Sequence, residues 1–250
     1  MMKFKKISFL VLFISSLFFS QKNKEGVISY EQNYKGKTLN AILLFDSNYS
    51  LYKISTAKEH TSIYTSSDGS LVYPSNTIDS IANKTRFILF DNAKNYFYNN
   101  NINGNKEHLI IDQKKFNWKV STEEKNILGY ECSKATTVIG NVEYIAWFTN
   151  QIPLSYGPVK INGLNGIILE ISDVNGDLKI LAKNITIQKS SAEIENFAEN
   201  YNFNSSITEE EYQKLFNNHL IDIENKINKQ REFYSKEKVI LKKECNDCNK

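Results

Sequence analysis

The sequence predicts a mainly β fold, a curved antiparallel sheet or partial barrel followed by a carboxy-terminal amphipathic α-helix. Short segments alternate apolar and polar residues, and turn-forming residues separate these segments at spacings of roughly 8–12 residues. After Thr208 the apolar residues change to helical spacing. The 250 residues are 41% hydrophobic and 24% charged, which predicts one globular domain with its own core.

The amino end has the three zones of a secretory signal peptide. Lys3, Lys5 and Lys6 precede thirteen uncharged residues, ISFLVLFISSLFF, and the chain then becomes polar at SQKNKEG. We therefore predict a signal peptide over residues 1–20 and an exported chain, periplasmic or outer-membrane-associated. The apolar run is short for a membrane span, and a retained signal anchor is the alternative.

Export also changes the charge of the protein. Removing the three lysines from a formal net charge of +3 leaves a mature chain that is formally neutral. A neutral exported chain lacks the basic surface that nucleic acid requires, so we expect no nucleic-acid partner. The rest of the chain contains no second long apolar segment, and we expect the mature chain not to span a membrane.

The first strands follow one another in hairpin style. We predict strands in GVISYEQNY, TLNAILLF and SLYKIS, with Asp46, Ser47 and Asn48 forming the turn between the last two. RFILF and NYFYNN follow on either side of DNAK, and EHLIIDQ and FNWKVST form a further predicted pair.

Two Asn/Gly turns organise the second half. GYECSKATTVI and VEYIAWFT meet at Gly140 and Asn141, and GIILEIS and LKILAKNITIQ meet around Asn175 and Gly176. A short helical turn is expected over 191–197. These segments complete a single domain, residues 21–241.

The carboxy-terminal helix begins with a capping box, because Thr208 precedes Glu211 by three residues. The apolar stripe then predicts a helix from about Glu209 to about Phe233. Its residues are Tyr212, Leu215, Phe216, His219, Leu220, Ile223 and Ile227. Residues 242–250 are predicted to be a loose tail.

The segment INGLNGIILEI contains Gly163 and Gly166 in front of an apolar run. A GxxG loop can hold a nucleic-acid backbone, but this one lacks Lys, Arg and a following helix. It also lacks the three-glycine spacing of a dinucleotide site. We predict a turn in which Asn165 and Gly166 supply the positive φ angles and launch a strand.

The histidines and cysteines give little indication of a prosthetic group. His60, His108 and His219 are scattered, so we expect no metal and no cofactor. Three cysteines allow one disulfide at most, and the candidates are Cys132, Cys245 and Cys248. A tail disulfide, a bond from Cys132 to the tail and a redox pair are the alternatives, and a buried Cys132 without a disulfide is a further one.

Two sets of side chains are candidates for a ligand site. The carboxylates of Glu143, Glu170 and Asp173 lie near the glycine segment and could serve acid–base hydrolysis if two of them pair. A second set could line a groove for an apolar or carbohydrate-like ligand, with core and turn packing as the alternative. Its residues are Trp147, Phe148, Pro153, Tyr156 and Pro158.

Residues 127–173 resemble the GLPGLI family of exported bacterial proteins. Four of the six letters of the family's name motif recur in the segment Gly163, Leu164, Asn165, Gly166, Ile167 and Ile168. Upstream pieces also agree in order, namely GY with Cys132, AWFT, IP and GP. The resemblance implies an envelope protein without an established activity, some relatives of which accompany outer-membrane receptor systems.

We therefore expect binding rather than catalysis. The expected function is an accessory module for a lipid, a peptide or an outer-membrane receptor-type partner, with a small apolar ligand as another possibility. The alternative is an envelope hydrolase that uses the carboxylates near Gly163 and Gly166.

Overall fold

The computed structural model describes residues 25–55, 64–65, 71–72, 86–103, 106–188 and 191–247. The predicted signal peptide, His60 and Cys248 lie outside these residues. The strands are β1 Gly26–Tyr34, β2 Lys37–Phe45, β3 Tyr49–Ser55, β4 Tyr64–Thr65, β5 Leu71–Val72, β6 Phe87–Asp91, β7 Tyr96–Asn103, β8 Lys106–Asp112, β9 Lys119–Ile127, β10 Tyr130–Ile139, β11 Val142–Thr149, β12 Ile167–Asp173, β13 Leu178–Ile187 and β14 Ile207–Thr208. The helices are α1 Ser191–Glu199 and α2 Glu209–Asp247, with a 3-10 turn at Phe203–Ser205 between them.

The predicted fold class is confirmed. Within the described residues, twelve strands form one sheet in the order β14-β8-β7-β6-β3-β2-β1-β13-β12-β11-β10-β9, while β4 and β5 pair with each other. All neighbours in the large sheet are antiparallel except β14 and β8. The predicted two-residue turn at Gly140 and Asn141 joins β10 to β11, where Ile139 faces Val142.

The sheet must curl because of one short connection. Strands β8 and β9 are ten positions apart, which is about 48 Å across a flat sheet. Residues 113–118 join them and can span at most about 25 Å from Asp112 to Lys119. The two ends of the sheet are therefore brought towards each other, around an apolar interior.

The predicted pairing of EHLIIDQ with FNWKVST is wrong. The first segment becomes β8 and pairs with β7, whereas β9 begins only at Lys119 and pairs with β10. Phe116 and Trp118 lie in the connection instead, and both pack against the core. Local alternation showed that both segments are extended, but it contains no information about which strand lies beside them.

Strands β2, β3, β6 and β7 bury apolar residues on both faces of the sheet. All five residues of β6, FILFD, are buried. The inner face joins the core that contains Tyr52 and Phe90. The outer face is covered by α1 and the chain after it, where the Phe87 ring lies 4.8 Å from the Phe197 ring.

Helix α2 begins where it was predicted and continues further. Thr208 and Glu211 form the predicted capping box, since Thr208 N donates to Glu211 Oε2 at 2.8 Å and Glu211 N donates to Thr208 Oγ1 at 3.2 Å. The helix ends at Asp247 rather than near Phe233, and most of the predicted tail is helical. The added segment contains neither Gly nor Pro, and Lys and Glu, which favour helix, make up six of its residues 234–247. Among the described helices, none is both long and apolar enough to cross a membrane.

Residues 150–166, between β11 and β12, fill the interior of the curled sheet. Ile152, Tyr156 and Ile161 are each at most 1% exposed, although they lie in irregular chain. The backbone of this segment bonds to β12, because Ile168 N donates to the Tyr156 carbonyl at 2.9 Å. We call residues 150–166 the core loop, and it positions the site described next.

Candidate functional site

The glycine motif forms the end of the core loop, and its two glycines have different roles. Gly163 has a φ of +93°, whereas Asn165 and Gly166 do not have positive φ. The prediction that Asn165 and Gly166 supply positive φ is therefore wrong. Gly166 is needed for close approach, because a Cβ there would overlap the Thr149 carbonyl oxygen and lie 2.6 Å from its carbon. The predicted strand does follow, as β12.

The five residues of the predicted groove do not share one surface. Trp147 and Phe148 are adjacent in β11, so their side chains point to opposite faces of the sheet. Phe148, Tyr156 and Pro158 are buried, while Pro153 is exposed. Phe148 and Tyr156 belong to the interior cluster, so for these two residues the alternative of core packing applies rather than a ligand groove.

The candidate carboxylates do not form a hydrolytic pair. Asp173 Oδ1 accepts a hydrogen bond from Leu178 N in the turn between β12 and β13, at 3.2 Å. Glu170 lies opposite Trp147 and is 2.6 Å from Lys125 Nζ. Glu143 lies four residues from Trp147, the residue opposite Glu170, which is about 14 Å along the strand and exceeds the separation in glycosidases of roughly 9.5 Å or less. Asp173 lies opposite Tyr144 on the buried face of the sheet, whereas Glu143 is on the exposed face.

The Trp147 side chain lies instead on the outer face, where it contacts Lys125, a residue that lines a shallow groove. Lys125 Nζ lies 4.2 Å from the centre of the Trp147 ring, a cation–π arrangement. The groove is about 350 Å³ and is bordered by Leu128, Leu181 and Lys183. The Lys125–Glu170 ion pair lies across it, so its charged groups already have partners.

The remaining predicted site residues are separated from one another. Cys132 is a free thiol, 1% exposed, and burial raises its pKa to about 11. The His108 ring lies 5.9 Å from the Tyr212 ring, where burial and then Lys106 lower the pKa of the imidazole. Over the residues that the structure describes, no group of three or more His, Cys, Asp or Glu could hold a metal ion.

A cleft of about 320 Å³ opens where three segments meet at one mouth of the curled sheet. The turn between β6 and β7, the connection between β8 and β9, and the core loop each contribute to it. The lining residues are Phe90, Asn92, Asn95, Lys114, Lys115, Phe116, Asn117, Ser155, Asn162 and Gly163. We call this the asparagine cleft, because four of the ten are Asn.

Hydrogen bonds hold the wall of the asparagine cleft in place. Trp118 Nε1 donates to the Asn162 carbonyl at 2.8 Å, which fixes the connection between β8 and β9 against the core loop. Gly163 N donates to Ser155 Oγ at 2.9 Å, which ties the ends of the core loop to each other. The motif glycine thus shapes the cleft wall through its backbone, and its φ of +93° rather than lack of space is what favours glycine there, since a Cβ would lie in ordinary contact with Trp118, 3.5 Å away.

A cluster of charges lies beside the asparagine cleft. Asp112 Oδ2 is 3.1 Å from Lys160 Nζ and 3.3 Å from Lys114 Nζ. The Lys160 side chain is only 3% exposed. Burial lowers the pKa of Lys160, although Asp112 and Glu209 oppose the shift. Burial raises the pKa of Asp112, but Lys160 and Lys114 together outweigh burial and hold that pKa below its ordinary 3.8.

Residues 46–214 match the family described as "N-glycanase peptide, N-terminal domain". This chain belongs to that family. The match contains the core loop, the glycine motif and every residue that lines the asparagine cleft. No functionally curated protein matches the chain.

Two solved structures match this member of the N-glycanase N-terminal domain family, and the first has a similar fold. "Structure of PNGF-II in C2 space group" is 18% identical, with a TM-score of 0.55, over 78% of this chain and 33% of that one. "Structure of PNGF-II in P21 space group" is 19% identical, with a TM-score of 0.48, over 67% of this chain and 29% of that one. The chain thus spans about a third of the length of the solved proteins it matches.

The asparagine cleft was missed in the sequence because its residues come from three separated segments. Asn92 was interpreted only as a turn residue, Asn95 and Asn117 as parts of strands, and Lys114 was assigned to no element. The sequence does carry one signal, since asparagine is dense in DNAKN and recurs at FNW and ING. That signal cannot reveal that the three segments meet.

Proposed function

We propose that this chain is an exported, non-catalytic binding module that recognises the glycan part of glycoproteins in the asparagine cleft. The observation that carries the proposal is the lining of the cleft by four asparagines and two phenylalanines. The proposal replaces the small apolar ligand expected from the sequence with a sugar, because this lining is rich in polar groups.

Asparagine suits sugar hydroxyls for a chemical reason. Each amide side chain presents an acceptor oxygen beside a donor nitrogen, so it can bond two neighbouring hydroxyl groups at once. Phe116 is half-buried at the cleft and offers an apolar surface to the C–H face of a sugar ring. A few fixed polar groups on a partly apolar wall are typical of a small-molecule site.

Family membership supports the same ligand. The name of the family refers to an N-glycanase, and an N-glycanase acts on glycoproteins. The matched part is described as the N-terminal domain, and this chain spans about a third of the solved proteins. We therefore propose a module that binds glycoprotein rather than one that cleaves it.

The resemblance to GLPGLI proteins supports the proposed cellular location. The signal-like amino end and the GLPGLI-like segment together favour a periplasmic or outer-membrane-associated protein. An accessory role beside an outer-membrane receptor-type partner remains part of the proposal. The hydrolase alternative gains no support, because its carboxylates have other partners or lie far apart.

Binding to N-glycans tests this function. Residues 21–250 would be titrated with a biantennary N-glycan by calorimetry, and binding is expected. Asn117→Ala, at an exposed position of the cleft, should weaken binding about fivefold, the value of one hydrogen bond of about 1 kcal/mol. Asn218→Ala, at an exposed position of α2, is the matched control and should bind like the wild type.

The titrated glycan and a glycopeptide would also be examined by mass spectrometry. Absence of binding to every glycan would refute the proposed module. Release of sugar or glycan from the glycopeptide would favour the hydrolase alternative instead.

A further inference from the structure

The two charged residues among the ten that line the asparagine cleft are both lysines, Lys114 and Lys115. Lys114 is 26% exposed at its side chain, and Lys115 is exposed. The cleft is therefore lined by positive charge as well as by amides, which a neutral sugar would not need.

The buried Lys160 explains why Asp112 does not cancel this charge. Lys160 carries its ammonium group into a site where the side chain is 3% exposed, and a buried charge must be paired. Asp112 Oδ2 contacts Lys160 and Lys114 together, so one carboxylate is shared by two ammonium groups. Since Glu209 adds a second negative charge near Lys160, the excess positive charge at the cleft is that of the exposed Lys115.

The acidic residues in the neighbouring turns are also occupied. Asp46 Oδ1 accepts from Asn48 N and Tyr49 N, at 2.7 and 2.8 Å. Asp91 accepts from Lys94 N at 3.1 Å and lies 3.1 Å from Lys94 Nζ. Both carboxylates are buried in turn structure and do not line the cleft.

We infer that the glycan bound in the asparagine cleft carries an anionic group, a carboxylate or a sulfate, that pairs with Lys114 and Lys115. This inference rests on the proposed glycan binding and specifies the ligand class. A terminal acidic sugar would place its anion at the lysines while its hydroxyls meet the asparagines. Ammonium groups bind such anions through charge-assisted hydrogen bonds.

Three forms of one biantennary N-glycan test the inference by calorimetry on residues 21–250. They are a sialylated form, the same glycan after removal of its sialic acids, and a sulfated form. At low salt an acidic form should bind about tenfold more tightly than the neutral form, equivalent to one charge-assisted contact. The preference should shrink as salt is raised to about 1 M, because exposed charges are screened.

A double variant, Lys114→Gln and Lys115→Gln, should bind all three forms with the affinity of the neutral one. Lys229→Gln, at an exposed position of α2, is the matched control and should keep the preference. The sialylated and sulfated arms distinguish a carboxylate from a sulfate.

Equal binding of neutral and acidic forms would overturn the anionic ligand while leaving the proposed glycan binding intact. An acidic preference that survives in the double variant would also overturn it. Absence of binding to every form would overturn both. Thermal melts of the variants would confirm that each is folded.

Discussion

At the scale of single residues, close contacts decide the role of the glycine motif. Gly163 needs its positive φ, and Gly166 needs its missing side chain, because the Thr149 backbone occupies the space of a Cβ. Val159 has a φ of 53° and is 2% exposed. A β-branched residue in that region is strained by about 1–3 kcal/mol, which the surrounding packing must offset.

Gly166→Ala and Gly166→Val should both destabilise the protein, by about 3 kcal/mol or slightly more, because the added Cβ forces β11 and the core loop apart. Urea denaturation gives the free energies of unfolding. Gly36→Ala is the control, since Gly36 has a φ of +79° but open space around it, and should cost only about 1 kcal/mol. An unchanged midpoint for Gly166→Ala would contradict the steric account.

Cys132 should be inert in the folded protein. Its thiol is 1% exposed and burial raises its pKa to about 11, so little thiolate forms near neutral pH. In a Cys245→Ser and Cys248→Ser double variant, a maleimide should label Cys132 only after denaturant is added. Rapid labelling of the native variant would show that the thiol is accessible.

At the scale of the elements, α2 has two parts. Its first turns pack against β7, β8 and β14, and Tyr212 donates from its hydroxyl to the Ile102 carbonyl at 3.3 Å. Further along, apolar side chains such as Ile221 and Ile227 are exposed, at 56% and 43%. Among the α2 side chains that the structure describes, the buried one is Tyr212, so we expect the stabilising contacts with the sheet at the amino-terminal end.

Tyr212→Ala should lower the free energy of unfolding by about 3 kcal/mol, because it empties a site that is 5% exposed and removes a hydrogen bond. Truncation after Glu224 should shift the melting temperature by no more than about 2 °C. A large fall on truncation would show that the distal helix stabilises the sheet. Circular dichroism measures both.

At the scale of the whole molecule, the sheet curls around the core loop, and an ion pair joins the two at one mouth. The Lys160–Asp112 pair joins the core loop to the end of β8, close to one end of the sheet. Trp118 makes the corresponding contact from the connection that leads to the other end. The asparagine cleft lies between these two contacts.

Asp112→Asn should destabilise the protein by about 3–5 kcal/mol at pH 7, since it leaves the Lys160 charge buried and unpaired. The pKa of Asp112 is lowered by folding, so its contribution is present above its ordinary pKa of 3.8 and is lost as pH falls through the lower, folded pKa. Denaturant melts between pH 7 and pH 2 should therefore show a smaller loss of stability for the variant. Equal acid sensitivity would contradict this assignment.

Export should remove the amino end, because basic, apolar and polar zones follow in order. Intact-mass measurement on envelope fractions should find a chain that begins near Gln21. An exported chain of full length would instead indicate a retained signal anchor.

Much of the fold could be predicted because local sequence patterns determine it. Alternating residues located most strands, Asn/Gly pairs located turns, and Thr208 with Glu211 located the start of α2. The pairing of β8 and β9 could not be predicted, because the choice of a neighbouring strand leaves no local pattern. The extent of α2 beyond Phe233 was missed because the apolar stripe used to place the helix ends at Ile227, although the segment beyond Phe233 contains neither Gly nor Pro.

The sequence by itself determined the strands, the turns and the capped helix, because these depend on hydrogen bonds and side-chain periods within a few residues. Only the tertiary structure decided that 113–118 joins distant strands, that residues 150–166 fill the interior, and that Asn92, Lys114 and Asn162 meet. Those results depend on how far the whole sheet curls. That curl is set by the packing of residues distant in sequence, so no single segment of the sequence determines it.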